Sequence, residues 1–269
     1  MKRKGGYCLP RHVGSKWSKT KALLEDNRLR QIVLKTVKFN RPQLYNMLNE
    51  FGMVYVKPDI GTHGQGVMRV EKADGQFRFQ LGRHVRSYAS YDLMLRAIRK
   101  KTKGRRYLVQ RGVHLLTHQG RRFDVRVMVQ MNPRQRWETT GMIGRLAAPH
   151  KIVTNYHDGG TPLPVPRLLK GHFSEAGMAQ HIRTLEKIGV NTGKVMRTRF
   201  PGVCEVGLDV GIDSTLKPWI IEVNTRPDPF IFRRLPDQAV FRKIKRYAQA
   251  YGRLRRVPQK ARLIKRRIR

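Results

Sequence analysis

Acidic side chains are scarce in this chain: 18 Asp and Glu stand against 57 Lys and Arg over 269 residues, a formal charge of +39. Non-specific attraction to polyanions at low salt follows from that charge, but it names no physiological partner. Two cysteines, Cys8 and Cys204, are too few for a disulfide framework or a thiolate metal cluster. A reduced, cytosolic protein with inert thiols is the plain expectation. No apolar run approaches the roughly 18 residues that a membrane helix needs. The start, MKRKGGYCLPRH, carries charge with no apolar segment behind it and is not read as a secretory signal. Walker and Rossmann loops, zinc-ligand spacings, RNP-like aromatic pairs and a clear helix-turn-helix are all missing. No Ser-His-Asp or Cys-His arrangement rises above chance, and there are no internal repeats.

What is present reads as a mixed α and β chain. Apolar positions at helical spacing, among them Leu23, Leu24, Ile32, Val33, Leu44, Met47 and Leu48, make residues 16–50 mostly helix, with Pro42 opening a second helix and Gly52 closing it. Strands are expected at 53–57 and 66–71, a helix over 91–100, and strands at 106–113, 124–131 and 136–146. PLPVPRLL (162–169) reads as a connection into a helix over 174–189. A final hairpin and a helix over 238–254 follow, then a basic tail. Antiparallel hairpins mixed with helices argue for α+β lobes rather than a doubly wound sheet.

Two segments carry chemistry. In EVGLDVGIDSTLKPWIIEVNTRP (205–227), alternation puts Glu205, Gly207, Asp209, Gly211 and Asp213 on one face and Val206, Leu208, Val210 and Ile212 on the other. A turn centred between Thr215 and Leu216 sets Asp209 across from Glu222, with Asn224 further along the same face. Hard oxygen donors of this kind hold Mg²⁺ that also touches phosphates, although an ordinary polar hairpin has the same composition. In VYVKPDIGTHGQGVMRV (54–70), Lys57 ends a strand and Gly61, Gly64 and Gly66 follow in a loop whose amides can point at an anion. A plain turn is the alternative, and His63 is taken as a loop residue.

Together these segments resemble the ATP-grasp superfamily, and within it the endospore coat-associated YheC/YheD group. SKW (15–17), YLVQRGV (107–113), FDVRVMVQ (123–130) and TNYHDGG (154–160) extend the likeness over roughly residues 7–250. The resemblance implies two α+β lobes gripping ATP: a helical segment 1–52, a first lobe 53–112 with the phosphate loop, a second lobe 113–255 with the Mg²⁺ site, and a basic tail 256–269. The separate N-terminal domain that often precedes such lobes is missing or reduced to a helical stub, leaving room for a partner to supply the substrate site. By the same resemblance, Gln110, Arg111 and Gly112 form the adenine-contacting hinge, and Lys57 and Arg126 act on the transferring phosphate. Lys16, Gly61, Gly64, Gly66, Arg145 and Asn155 contact phosphate or substrate, and Asp209, Glu222 and Asn224 hold Mg²⁺. Asp213 and Asp228 are expected to be structural or solvated.

The implied activity is ATP- and Mg²⁺-dependent ligation of a carboxylate to an amine through an acyl-phosphate, with an acidic peptide or protein as one acceptor class. The alternative is a basic nucleic-acid-binding or spore-associated structural protein on a catalytically weak scaffold. Basic runs at 99–106 and 242–269 favour it.

Overall fold

The computed structural model describes residues 11–254 apart from residues 63, 74 and 155. His63, Asn155, Cys8 and the basic tail 256–269 therefore lie outside the described residues. Two antiparallel six-stranded sheets organise the chain. The first has the order β1 (Thr36–Lys38), β6 (Tyr107–Arg111), β2 (Met53–Pro58), β3 (Met68–Ala73), β4 (Gln76–Leu81), β5 (His84–Tyr88). One face is sealed by α3 (Arg41–Phe51) and α4 (Tyr91–Thr102), where Leu44, Met47, Met94 and Ile98 pack on Val54, Val56, Val70 and Val109. Both helices begin on side-chain caps, Asn40 and Ser90, and Pro42 stands in the first turn of α3.

The second sheet runs β10 (Thr161–Leu163), β9 (Trp137–Leu146), β8 (Arg121–Met131), β11 (Glu205–Ile212), β12 (Pro218–Asn224), with β7 (Thr117–His118) beside β8. Its dry face carries Val125, Val127, Val129, Val206, Leu208 and Val210 under α6 (Glu175–Arg199). Helices α1 (Lys16–Leu24) and α2 (Asn27–Arg30) join that same core through Ala22, Leu23 and Leu29. The expected helical segment 1–52 is thus divided: α1 and α2 pack on the second sheet, α3 on the first. Val33 forms a parallel bridge to Ile220 at the β12 edge before the chain enters β1. On the opposite face Met128 and Ile143 pack against α7 (Gln238–Ala250) and the turn Phe230–Arg234, leaving the remainder of that face to a cleft between the sheets.

Several local expectations shift. β1 falls inside the stretch read as helix, because Ile32 and Val33 are apolar for contact with β12 rather than for a helical stripe. The β4–β5 hairpin goes unread, since β5 is largely exposed and has no buried alternation. The segment 162–169 is strand β10 followed by α5 (Val165–Leu169). Helix α6 continues past Gly189 to Arg199. A Cβ at Gly189 would lie 2.8 Å from Val129 and one at Gly193 2.6 Å from Trp137, so both glycines serve close helix–sheet packing rather than termination. Among the described residues no helix is long and apolar enough to cross a membrane.

Candidate functional site

A cleft of about 450 Å³ lies between the two sheets, within the size range of small-molecule sites. Lys16, Lys57, Gly61, Gly64, Gln110, Arg111, Arg126, Arg145, Asp209, Glu222 and Asn224 all border it. Gly66 and Gly112 do not stand among its lining residues. A Cβ at Gly66 would approach the Tyr107 hydroxyl to 2.8 Å, and one at Gly112 would collide with Met53, so both are explained by packing.

The floor comes from β8, β9, β11 and β12. Asp209 pairs with Glu222 in register and Gly207 with Asn224, as the alternation predicts, but through an irregularity. From the turn back to Val210 the register is one residue shorter, and a bulge opposite the Asp209–Val210 step leaves Ile221 without a partner of its own. Without it Asp209 would face Ile221, and the two carboxylates would point to opposite sides. Arg126 sits beside Asp209 on β8, its Nε donating to Asp209 Oδ1 at 2.5 Å. Gly207 makes room for it: a Cβ there would stand 3.2 Å from Arg126 Cδ and 2.6 Å from Pro227. From β9, Arg145 donates to both Asp124 oxygens at 2.8 and 2.5 Å and reaches Asp209 Oδ1 at 3.0 Å. Thr154 donates to Asp124 at 2.8 Å. Burial alone would raise the Asp209 carboxyl, yet Arg126 and Arg145 outweigh it and hold Asp209 below its ordinary value.

The roof comes from the first sheet and α1. Lys57, almost fully buried, donates to Gln110 Oε1 at 2.8 Å and to the Ile221 carbonyl at 3.2 Å, joining one sheet to the other. Gln110 also donates to the Ile221 carbonyl and to Thr36, so its side chain is committed to holding the hinge. Arg111 places its guanidinium between the Phe51 and Trp219 rings at 5.1 and 4.7 Å, a clamp between the lobes. Lys16 donates to the Gly61 carbonyl at 2.8 Å and stands 3.6 Å from Glu222. Asp59 fixes this corner by accepting from Ser15 Oγ and Trp17 N, both at 2.9 Å. Gly64 has φ of 72° and Gly61 φ of 156°, torsions that a loop of ordinary residues resists.

Three buried lysines surround Glu222. Burial lowers Lys57 to about 8, with Glu222 opposing and Lys16 and Lys19 adding to the depression. Lys19 is likewise lowered to about 8, chiefly by burial. Asp124 borders the cleft, and Lys19 and Asp59 support its wall from behind; the sequence pattern left all three unassigned. Asp124 had a visible signal, since it shares the cleft-facing alternation of FDVRVMVQ with Arg126. Lys19 had none among so many basic residues. Asp213 is structural: it accepts from Thr215, Lys217 and Trp219 and closes the β11–β12 turn. Asp228 borders the cleft and accepts from Phe230 N.

Asp209, Glu222 and Asn224 supply two carboxylates and an amide oxygen on paired strands, a donor set suited to Mg²⁺. Among the described residues no group of three or more His, Cys, Asp or Glu could hold a metal unaided. A cation here would therefore complete its shell from phosphate and water, which is how Mg²⁺ is usually bound with nucleotides.

A profile of YheC/D-like ATP-grasp domains matches residues 7–254, nearly every residue that builds the two sheets and the cleft. The chain belongs to the YheC/D-like ATP-grasp family. Its architecture, two α+β lobes with antiparallel sheets about a cleft, is the ATP-grasp fold. Two relatives come from Bacillus subtilis strain 168. Endospore coat-associated protein YheD is 26% identical over 225 residues, covering 81% of this chain and 49% of YheD. Endospore coat-associated protein YheC is 22% identical over 236 residues, covering 85% of this chain and 64% of YheC. The chain thus spans about half of one curated relative and under two-thirds of the other. Among solved structures, the ATP-grasp ligase PsnB complexed with minimal precursor aligns with a TM-score of 0.46 and 12% identity, covering 80% of this chain and 52% of that one.

Proposed function

We propose that this ATP-grasp protein is an ATP- and Mg²⁺-dependent carboxylate–amine ligase that works through an acyl-phosphate. The observation that carries this reading is the convergence, in one cleft, of Lys16, Lys57, Arg126 and Arg145 with the oxygen donors Asp209, Glu222 and Asn224. The cations match the triphosphate, and the donor set matches the cation that accompanies it. Asp209, Glu222 and Asn224 would hold Mg²⁺, which would supply positive charge to offset that of the phosphates.

The chain's own residues divide the remaining work. The glycine loop and Lys16 hold the phosphate tail, and Gln110 with the backbone of β6 frames the adenine end. Lys57 and Arg126 draw charge from the γ-phosphoryl group as a substrate carboxylate oxygen attacks phosphorus and the bond to the β-phosphate oxygen breaks, releasing ADP. An amine then attacks the acyl carbon, phosphate leaves and the amine loses a proton. No side-chain nucleophile takes part, so positioning and electrostatics supply the catalysis.

The lobe boundary at 112–113 belongs to this proposal, with α1 and α2 assigned to the second lobe. So does an association with the spore, which rests on the relatives' names alone. The test is Mg-ATP turnover with panels of acids and amines, reading ADP, phosphate and a new amide by mass spectrometry. ADP without any amide would redirect the proposal to phosphoryl transfer onto another acceptor.

The charge of +39 supports a second reading, a polyanion-binding protein on a weak catalytic scaffold. Removing residues 256–269 separates the two. A ligase that recruits its substrate by charge keeps turnover on small acceptors while its polyanion affinity loses salt dependence. Tight binding to a defined RNA or DNA at physiological salt, with no ADP formed from any acceptor, would favour the second reading.

A further inference from the structure

One arginine at the cleft is held by a buried network that the proposed chemistry leaves unused. Glu205 opens β11 and is completely buried. Its Oε1 accepts from Arg253 Nε at 3.0 Å and its Oε2 from the Tyr251 hydroxyl at 2.7 Å. Tyr251 in turn accepts from Gln130 at 2.5 Å, and Gln130 accepts from Thr140 at 2.5 Å. The turn after α7 delivers both residues: Gly252 has φ of 80°, and Arg253 N donates to the Ala248 carbonyl at 2.8 Å. A buried carboxylate of this kind fixes the orientation of its arginine, and Arg253 borders the cleft. Arg226, exposed just beyond Asn224, borders the same end and contributes positive potential at Glu205.

The strand sets the spacing. Glu205, Gly207 and Asp209 occupy successive positions on one face of β11, each about 6.8 Å from the next. Arg126 crosses over Gly207, one such step along the strand from Glu205, which anchors Arg253. Two arginine positions at that separation fit two anionic groups on one molecule. In an extended peptide, acidic residues at alternate positions repeat at about the same distance.

We propose that Arg253 and Arg226 form the anchoring end of the acceptor subsite. They hold a second anionic group on the molecule whose carboxylate is phosphorylated beside Arg126. The substrate class is a compound with at least two carboxylates, whether a small dicarboxylic acid or an acidic peptide. This inference rests on the ligase reading.

The test is calorimetric binding to the full chain loaded with Mg²⁺ and a non-hydrolysable ATP analogue, at physiological ionic strength. The probes are butyrate, glutarate and end-blocked tetraglutamate. Glutarate or tetraglutamate should bind about tenfold or more tighter than butyrate, as an added charged hydrogen-bonding pair predicts. Arg226→Gln and Arg253→Lys should erase that advantage, while Lys100→Gln on the remote α4 terminus should leave it intact. Tight glutarate binding identifies a small diacid, and preference for tetraglutamate identifies a peptide. Arg226 is exposed, so its variant tests the subsite even if Arg253→Lys, checked by thermal melting, loosens the fold. Equal affinity for all three probes, no binding of either polyacid, or the same loss in Lys100→Gln overturns the subsite. Failure of the wild-type chain to bind the nucleotide analogue overturns the ligase reading and the subsite together.

Discussion

The Ile221 carbonyl accepts a hydrogen bond from the Lys57 ammonium at 3.2 Å, across the gap between the two sheets. The bulge in β12 frees this carbonyl, and the same bulge brings Asp209 and Glu222 onto one face. One irregularity thereby sets the carboxylate pair and ties the roof of the cleft to its floor.

Lys57 and Lys19 are both lowered from 10.5 to about 8, first by burial. Below about 8 both carry charge, and Lys57, which borders the cleft, attracts phosphate, so affinity for Mg-ATP should fall as pH rises from 7 to 9. Stability runs the other way. The folded, nucleotide-free protein binds these protons more weakly than the unfolded chain, so stability should rise between about 8 and 10.5. Calorimetry at pH 7, 8 and 9 on wild type and Lys57→Met checks the first slope. An affinity independent of pH would contradict it.

Glu222→Gln keeps the shape of its side chain but removes one carboxylate from the cation's donor set. Turnover should fall on the order of 10²-fold or more, with a folded protein by circular dichroism. The Mg²⁺ concentration for half-maximal rate should rise with it. An unchanged rate in folded protein removes Glu222 from the set.

Gly207→Ala adds a Cβ that Pro227 and Arg126 cannot both accommodate. Displacing Arg126 should lower kcat by about 10–100-fold, with a smaller change in KM for ATP. Steady-state kinetics decides this, and equal losses in both parameters would point to a general loosening of the cleft.

Asp124→Asn leaves Arg145 deep in the sheet without its main counter-ion. Breaking a buried pair from one side costs about 3–5 kcal/mol. The denaturation midpoint should drop accordingly at an unchanged slope. A shift within error would mean that Asp209 alone satisfies Arg145.

The parts of this fold legible in the sequence were those with strict local periodicity. Alternation in β8 and β11 separates cleft-facing Arg126 and Asp209 from the valines of the core, and Pro42 marks the start of α3. Asp209 opposite Glu222 was anticipated, but by a turn and a bulge that compensate each other. What stayed hidden depends on distant contacts. Gly189 looks like a helix stop until Val129 is known to press against it, and β1 is too short to show a period. Lys19 differs from exposed Lys21 only by burial, which no local pattern reveals. Gln110 and Arg111 border the cleft, but their contacts with Ile221, Phe51 and Trp219 join segments far apart in sequence and leave no local pattern.

The bridge from Val33 to Ile220 also constrains the order in which this protein can fold. Helices α1 and α2 precede the first sheet in the chain, but the strands that cover them follow it. During synthesis residues 16–35 must wait, with Leu23, Leu29 and Val33 uncovered, while the first sheet assembles behind them from nearer contacts. Closing so long a loop is entropically slow, and apolar surface left open during that interval invites aggregation. Chaperone demand during synthesis should therefore centre on residues 16–35, and a chain cut short before β12 would leave that segment permanently unpaired.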